Sequence, residues 1–363
     1  MTRAARYDLV IVGGGIAGTM TAVLARRRHP ELDLLVVDRS VPGLGATAYS
    51  ACLDLPFGHT DAIRALTARS QALHRELRAA IPPLPIADLP LVGVCAIDGL
   101  DLARARLIDP APRLRDPRRD GRDAPAIEGA PDGFAVPADH AILDGLRATR
   151  WTGPVLDALI AALAATTGAP RADVLEGAEI VRMTASAGRY RLDVHDGRTI
   201  EAARVALCVG PWLGGVLPAL TGHRAEVRTK KIVSLIVPGQ PAPGAPVIYL
   251  FEHEAFLLPQ PEQRRWLFSF RSEEWDVAPA PGALRLGADD LARATRILAL
   301  HFPAGVAGPL GARVFCDAYT ASRDPMIAAV PDHPGVAVIG GAGGSGVRLA
   351  PAMAERGLEL LGL

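Results

Sequence analysis

Tyr7-Asp8-Leu9-Val10-Ile11-Val12-Gly13-Gly14-Gly15-Ile16-Ala17-Gly18, continued by Thr19 to Arg28 and then by Leu34-Leu35-Val36-Val37-Asp38, decides how the chain is read. Leu9 to Val12 is an unbroken apolar run of strand length, as in a parallel strand covered on both faces. Gly13, Gly15 and Gly18 fall on the G-x-G-x-x-G spacing. The first permits a tight turn, the second lets a pyrophosphate approach the backbone, and the third lets helix and strand pack closely. The helix that follows turns its N-terminus toward the phosphates. Leu34 to Val37 reads as the second strand. Asp38 stands about twenty residues beyond Gly18, where a carboxylate accepts hydrogen bonds from an adenosine ribose with a free 2′-hydroxyl.

At 363 residues the chain is long enough for two domains. A content of 49% hydrophobic and 21% charged residues is that of an ordinary globular protein. The formal net charge is zero and no basic stripe interleaves with aromatics, so nucleic acid is not an expected partner. All but Lys230 and Lys231 of the 39 basic residues are arginines, which gives most arginines a bland reading as solvated surface charge. Cys52, Cys95, Cys208 and Cys316 are scattered without metal-ligand spacing, so neither a redox disulfide nor a metal site is expected. The basic start before Leu9 imitates a signal peptide, but Asp8 and the glycines interrupt the apolar run. With no long apolar span elsewhere, a cytoplasmic protein with no membrane partner is expected.

Beyond Asp38, Val41 to Ser50 is a loop of glycines and small residues, and Asp61 to Ala80 has the spacing of an amphipathic helix, ended by Ile81-Pro82-Pro83. Pro82 to Pro137 reads as an inserted region, with a strand at Leu91 to Ile97 and a mobile surface loop at Arg113 to Asp123. Pro154 to Thr167 reads as a helix with Thr152 as its cap. Asp196-Gly197 between Arg189 to His195 and Thr199 to Ala203 signals a hairpin. It leads into the buried strand Arg204 to Val209, which ends in Gly210-Pro211-Trp212. Ile232 to Val237, Val247 to Phe251, Ala255 to Leu258 and Trp266 to Phe270 read as an antiparallel sheet, and Asp289 as the cap of a helix through Leu300. In the tail, Val336 to Ile339 is a short strand, and Gly340 to Pro351 is a glycine-rich loop opening the last helix. Such a loop gives close backbone approach and a positive dipole end.

The opening, the Gly210-Pro211-Trp212 return and the glycine-rich tail together resemble the FAD-dependent family of D-amino-acid oxidase, glycine oxidase and sarcosine oxidase. The resemblance covers most of the chain and leaves Pro82 to Pro137 unmatched. It implies an α/β (α+β) fold in which a Rossmann-like FAD-binding domain, 1–85, 138–225 and 311–363, carries an inserted, mainly antiparallel substrate domain, 86–137 and 226–310. FAD is then expected against Gly13, Gly15, Ile16, Ala17, Gly18, Asp38, Arg39, Gly45, Ala46, Thr47, Ile180, Gly210 and Trp212. Gly343, Gly344, Ser345, Gly346, Val347 and Arg348 are expected to close over it.

The expected reaction takes a hydride from a C–H next to nitrogen in an amine or amino-acid-like substrate and gives an imine. Two alternatives stay open: oxidation of a 2-hydroxy acid or a biosynthetic tailoring intermediate on the same fold, and a non-catalytic FAD-binding subunit. The sarcosine-oxidase branch attaches its flavin to a cysteine just before a Tyr-Thr pair; Cys316 precedes Tyr319-Thr320 with one more residue between them. That shift turns an extended segment's side chain to the other face. The branch also holds the substrate carboxylate with an arginine after the ribose acid and a basic residue on the last loop. Ala46 to Asp54 has no arginine, whereas Arg348 stands on the last loop, with Tyr319 lining the pocket and Arg323 as a second candidate. Glu252, Glu254 and Asp317 suit a substrate with an extra amine. No lysine lies in Trp266 to Arg271, where the branch places the oxygen-activating one; Lys230 and Lys231 are the candidates, of which strand alternation lets one face inward. The electron acceptor and the oligomeric state stay open.

Overall fold

A computed structural model describes residues 5–81, 84–108, 112–117, 126–151, 172–280, 282–306 and 308–363. The chain opens with β1 (Ala5–Val12), α1 (Ile16–Arg28), β2 (Leu34–Val37), α2 (Ala46–Tyr49), β3 (Leu53–Asp54) and α3 (Asp61–Ala80). It continues through β4 (Ile86–Ala96), α4 (Leu100–Ala105), β5 (Arg113–Arg115), β6 (His140–Trp151) and β7 (Ala172–Leu175). The middle holds β8 (Ile180–Ser186), β9 (Arg189–Val194), β10 (Thr199–Leu207), α5 (Leu213–Thr221), β11 (Val227–Pro238), β12 (Val247–Leu250), β13 (Ala255–Gln260) and β14 (Arg265–Trp275). It ends with α6 (Ala288–His301), β15 (Gly311–Thr320), β16 (Met326–Ala329), β17 (Val336–Gly340) and α7 (Gly346–Leu360).

Two sheets result. The first has the order β16-β17-β10-β1-β2-β7, with the β8–β9 ribbon joined to β10. Its centre is parallel: β1 pairs β2 and β10, β2 pairs β7, and β10 pairs β17. Both faces are covered, which is why Leu9 to Val12 and Leu34 to Val37 are apolar at every position. On one face Leu9, Ile11 and Val36 pack against Met20, Leu24, Ile63, Leu349 and Met353 of α1, α3 and α7. On the other, Val10, Val12 and Val37 meet Met183 and Leu192 of the ribbon and Leu213 and Leu217 of α5. The second sheet runs β15-β11-β14-β13-β12-β4-β6-β3, with β5 on β6, and is antiparallel except between β12 and β4.

Sheet membership departs from the sequence reading at three places. Residues 53–54, 140–151 and 311–320, expected with the first domain, form β3, β6 and β15 and hydrogen-bond in the second sheet. β6 is drawn there by its long antiparallel ladder with β4, from Ile86 opposite Trp151 to Ala96 opposite His140. Arg113–Arg115, read as part of a mobile loop, is a strand on β6, with Arg115 3.3 Å from Asp144. The helix expected at 154–167 lies outside the described residues. α6 is capped by Gly287 rather than Asp289. The Asp290 carboxylate reaches back to accept from the Gly287 amide at 2.9 Å, because the third helical position is the one that can meet the capping residue's N–H.

Lys231 is the other partner of that carboxylate. Its ammonium lies 2.8 Å from Asp290 and 2.9 Å from Glu274, and the Lys231 and Asp290 side chains are each only 5% exposed. Burial opposes the ammonium's charge, yet these hydrogen bonds hold its pKa above the ordinary value. Lys231 therefore fastens α6 to the second sheet and reaches neither of the two cavities described below. Lys231→Met strands the Asp290 charge and is expected to cost about 3–5 kcal/mol. Adding Asp290→Asn should restore part of that loss, as read from denaturant midpoints of the single and double variants.

Candidate functional site

The turn after β1 is built for close approach. Gly13 has φ 102, and a Cβ there would lie 2.5 Å from the Cys208 carbonyl oxygen; one on Gly18 would lie 1.9 Å from the Gly13 carbonyl oxygen. α1 starts directly beyond, with no side-chain cap and no acid in its first turn, so its positive end is left for a ligand. The Ile16 amide donates to the Thr47 hydroxyl at 3.1 Å. Asp38, at the end of β2, accepts from the Gly14 amide at 2.7 Å and the Ser40 amide at 2.8 Å, which fixes its carboxylate beside the turn.

An elongated cleft of about 1240 Å³ runs along this edge. Gly13, Gly15, Ile16, Ala17, Asp38, Arg39, Gly45, Ala46, Thr47, Ile180, Gly210, Trp212, Gly343 and Gly346 line it. Gly18 lies beneath, packed on the turn. Arg39 stacks over Trp212 with its guanidinium carbon 4.1 Å from the ring centroid. A glycine cradle, an uncapped helix end and a fixed carboxylate in one long cleft fit a dinucleotide with a pyrophosphate and a ribose diol.

A second cavity, of about 1180 Å³, shares Ile16, Ala46, Thr47, Gly346 and Asp317 with the cleft and so continues it. Gly344, Ser345, Val347 and Arg348 form one wall, and Ser234, Phe256, Ser269, Arg271 and Phe315 of the second sheet form another. Arg271 is its central cation. It pairs with Glu254 and lies with its guanidinium carbon 5.8 Å from the Tyr319 ring centroid. Burial alone would weaken its charge, but Tyr319, Glu254, Tyr249 and Asp317 hold its pKa above the ordinary value. Glu254 also lies 3.8 Å from Arg106 and 3.9 Å from Arg323. Asp317 sits where cleft and cavity join and accepts no hydrogen bond from any described residue. Burial pushes its carboxyl up to about 7 against the pull of Arg271. His59 contributes a ring whose Nε2 has no partner among the described residues. Burial, aided by Arg323, keeps its pKa below the usual histidine value.

Arg348 is in the wall as expected, but two of its nitrogens are already engaged. One amino group donates to the Phe57 carbonyl at 2.7 Å and the other to the Ser345 hydroxyl, while Nε has no partner among the described residues. Burial lowers its pKa, and no carboxylate among the described residues pairs with it. Tyr319 does not line the pocket. Its hydroxyl accepts from the Gly344 amide at 3.1 Å, so it supports the closing loop from behind. Cys316 lines neither cleft nor cavity; β15 alternation gives Asp317 the inward position and leaves Cys316 in a small pocket beside Tyr49. Burial pushes its thiol up to about 11. Lys230 and Arg323 lie outside the cavity, in an adjoining vestibule.

Arg271, Arg106 and His59 escape sequence reading. Arg271 ends a strand read for a missing lysine, and Arg106 is one arginine among many. The usable signal was alternation. Ser269 and Arg271 stand two apart, opposite Ser234 and Ile232 of β11, so all four share a sheet face.

The raised Asp317 pKa gives a signed pH dependence. Its folded value of about 7 lies above the 3.8 of an ordinary carboxyl, so the folded chain favours the protonated form. The stability this contributes is complete below about pH 4 and is lost as pH rises toward 7. Asp317→Asn should flatten that part of the apoprotein's melting-temperature profile. An unchanged profile would remove Asp317 as its source.

A family model described as FAD dependent oxidoreductase, of the D-amino-acid oxidase type, matches residues 8–360. The bifunctional tRNA 5-methylaminomethyl-2-thiouridine biosynthesis protein MnmC of Caulobacter sp. (strain K31) is 28% identical over 96% of this chain, which spans about half (53%) of that relative's length. Among solved structures, glycine oxidase from Geobacillus kaustophilus superposes with a TM-score of 0.75 at 18% identity, covering 99% of this chain and 95% of its own. L-proline dehydrogenase from P. horikoshii does so with a TM-score of 0.79 at 15% identity, covering 99% and 94%. The family model and the cleft agree on one cofactor: the chain belongs to the family of FAD-dependent oxidoreductases.

Proposed function

We propose that this oxidoreductase oxidises a carbon–nitrogen bond in an amine that carries a carboxylate, passing a hydride to FAD and leaving an imine. The observation that carries the reading is the cavity continuous with the flavin cleft, walled by the half-buried Arg271 and the buried Arg348. Bound FAD supplies the two-electron acceptor. Gly13, Gly15 and the N-terminus of α1 hold its pyrophosphate, and Asp38 its ribose. The N-terminus of α7, uncapped by any side chain and free of acids in its first turn, faces the junction of cleft and cavity.

The chain's own contribution is alignment and charge. Arg271 presents its unspent N–H groups to a carboxylate, in the planar geometry that favours bidentate pairing. Arg348 holds the Phe57 and Ser345 walls and adds a second positive centre. Phe57 and Phe256 give the cavity an apolar lining that excludes water from the reacting carbon. Ala46 to Asp54 carries no arginine, and Arg271 of β14 offers a carboxylate partner in its place. The name of the MnmC relative contains a methylaminomethyl group, a secondary amine with a carbon–nitrogen bond of the kind proposed for oxidation but without the carboxylate.

Anaerobic mixing of the FAD-loaded protein with panels of amino acids, N-alkyl amino acids and 2-hydroxy acids tests the reading: flavin bleaching by hydroxy acids alone would overturn it. Arg271→Met should give a folded, yellow protein whose substrate binding is weaker by about 2–5 kcal/mol, seen as a raised KM. Arg348→Met should raise KM as well, and a normal KM in both variants would sink the carboxylate grip. Asp38→Ala should weaken FAD retention on gel filtration by about 1–3 kcal/mol while leaving the apoprotein folded.

A further inference from the structure

Beyond Glu254 the substrate cavity opens into a vestibule of about 1080 Å³ that the flavin chemistry does not use. It shares Arg106, Glu254 and Arg271 with the cavity and adds Lys230, Arg293, Arg323, Glu252 and Glu273. Five cationic side chains thus face three carboxylates. The carboxylates are overcommitted. Glu254 serves Arg271, Arg106 and Arg323; Glu273 lies 3.0 Å from Arg293 and 3.7 Å from Lys230; Glu252 accepts from the Ala96 amide at 2.6 Å.

Burial, ahead of charge, lowers the pKa of two neighbouring groups. The Lys230 pKa is lowered by burial and further by Arg271, Arg323 and Arg293, with Glu273 opposing. That of His253 is lowered by burial, with Arg293 and His140 adding to the effect and Glu252 opposing. The backbone is strained at the same place. Glu254, with φ 46, and Arg323, with φ 65, hold left-handed conformations unfavourable to residues with a Cβ. Strain of this kind persists where surrounding structure fixes it, and it collects at ligand sites.

We propose that this vestibule is an anion subsite that takes a phosphate group carried by the substrate beyond the carbon–nitrogen bond that is oxidised. The assignment extends the proposed amine oxidation, and rests on it, by making the substrate a phosphorylated amine rather than a free amino acid. A phosphate offers three acceptor oxygens and up to two negative charges. It matches five convergent donors better than one carboxylate, which Arg271 alone can hold. The connection at Arg106 and Arg271 lets one molecule occupy cavity and vestibule together.

Calorimetric titration of the FAD-loaded protein with pyrophosphate tests this without turnover. Binding in the range of about 1 mM or tighter is expected. It should be at least about tenfold weaker in Arg293→Ser/Arg323→Ser, whose flavin spectrum should be unchanged. Arg285→Ser, a change at an exposed arginine bonded to the Gly282 and Leu284 carbonyls, should leave binding intact. Should the double variant not fold, Arg323→Ser alone serves, since that side chain is 52% exposed. No binding by the wild type, equal binding by the double variant, or equal loss in Arg285→Ser would overturn the proposal. Pyrophosphate binding in a protein whose flavin no amine reduces would uphold the subsite and refute the amine oxidation.

Discussion

The structure depends on the parallel pairing that makes β2, β1 and β10 end together. The Gly13 amide donates to the Val37 carbonyl at 2.7 Å and the Cys208 amide to the Val12 carbonyl at 2.8 Å, so the three carboxyl ends are tied at one level. Parallel strands all point their carboxyl ends the same way, and the crevice beyond them is where a ligand meets loop backbone and helix N-termini. Here that crevice collects the glycine turn, Asp38, the Thr47 loop, Gly210 to Trp212 and the tail glycines from four distant parts of the chain.

The second sheet gives the site its chemistry. β15 lies at its edge on β11, and an isolated bridge between Tyr319 and Ala342 ties its end to the loop before α7. That link sets Asp317 at the junction of cleft and cavity and places Tyr319 behind Gly344. β14, two strands in, brings Arg271 to the same junction. A buried aspartate with no hydrogen-bond partner for its carboxyl among the described residues, beside the Arg271–Glu254 pair, is costly unless a ligand meets it. That cost is the physical reason for reading this cluster as a binding site rather than as packing.

The opening sequence determined β1 and β2 at the centre of the first sheet. Leu9 to Val12 and Leu34 to Val37 had no polar face, so only burial on both sides suited them, and the glycine spacing admitted few turns other than the one observed. The α3 bounds were equally readable, since Thr60 accepts from the Ile63 amide at 3.1 Å and Asp61 sits in the first turn. The glycine turn and Asp38, which line the cleft, are local signals of this kind. Each acts through its own backbone or its immediate position after a strand.

Tertiary structure alone decided the second cavity. Arg271, Arg106 and His59 meet only when β14, the end of α4 and the loop before α3 are packed together; alternation along β14 marks Arg271, whereas no local pattern marks Arg106 or His59. Lys231 became a structural anchor because the start of α6 put Asp290 beside it, and Cys316 was turned away because Asp317 took the inward register. β6 and β15 changed sheets because strand partners are chosen by long-range ladders, which short apolar runs do not encode. Backbone-mediated sites can be read along the chain, whereas sites made of converging side chains exist only once the chain has folded.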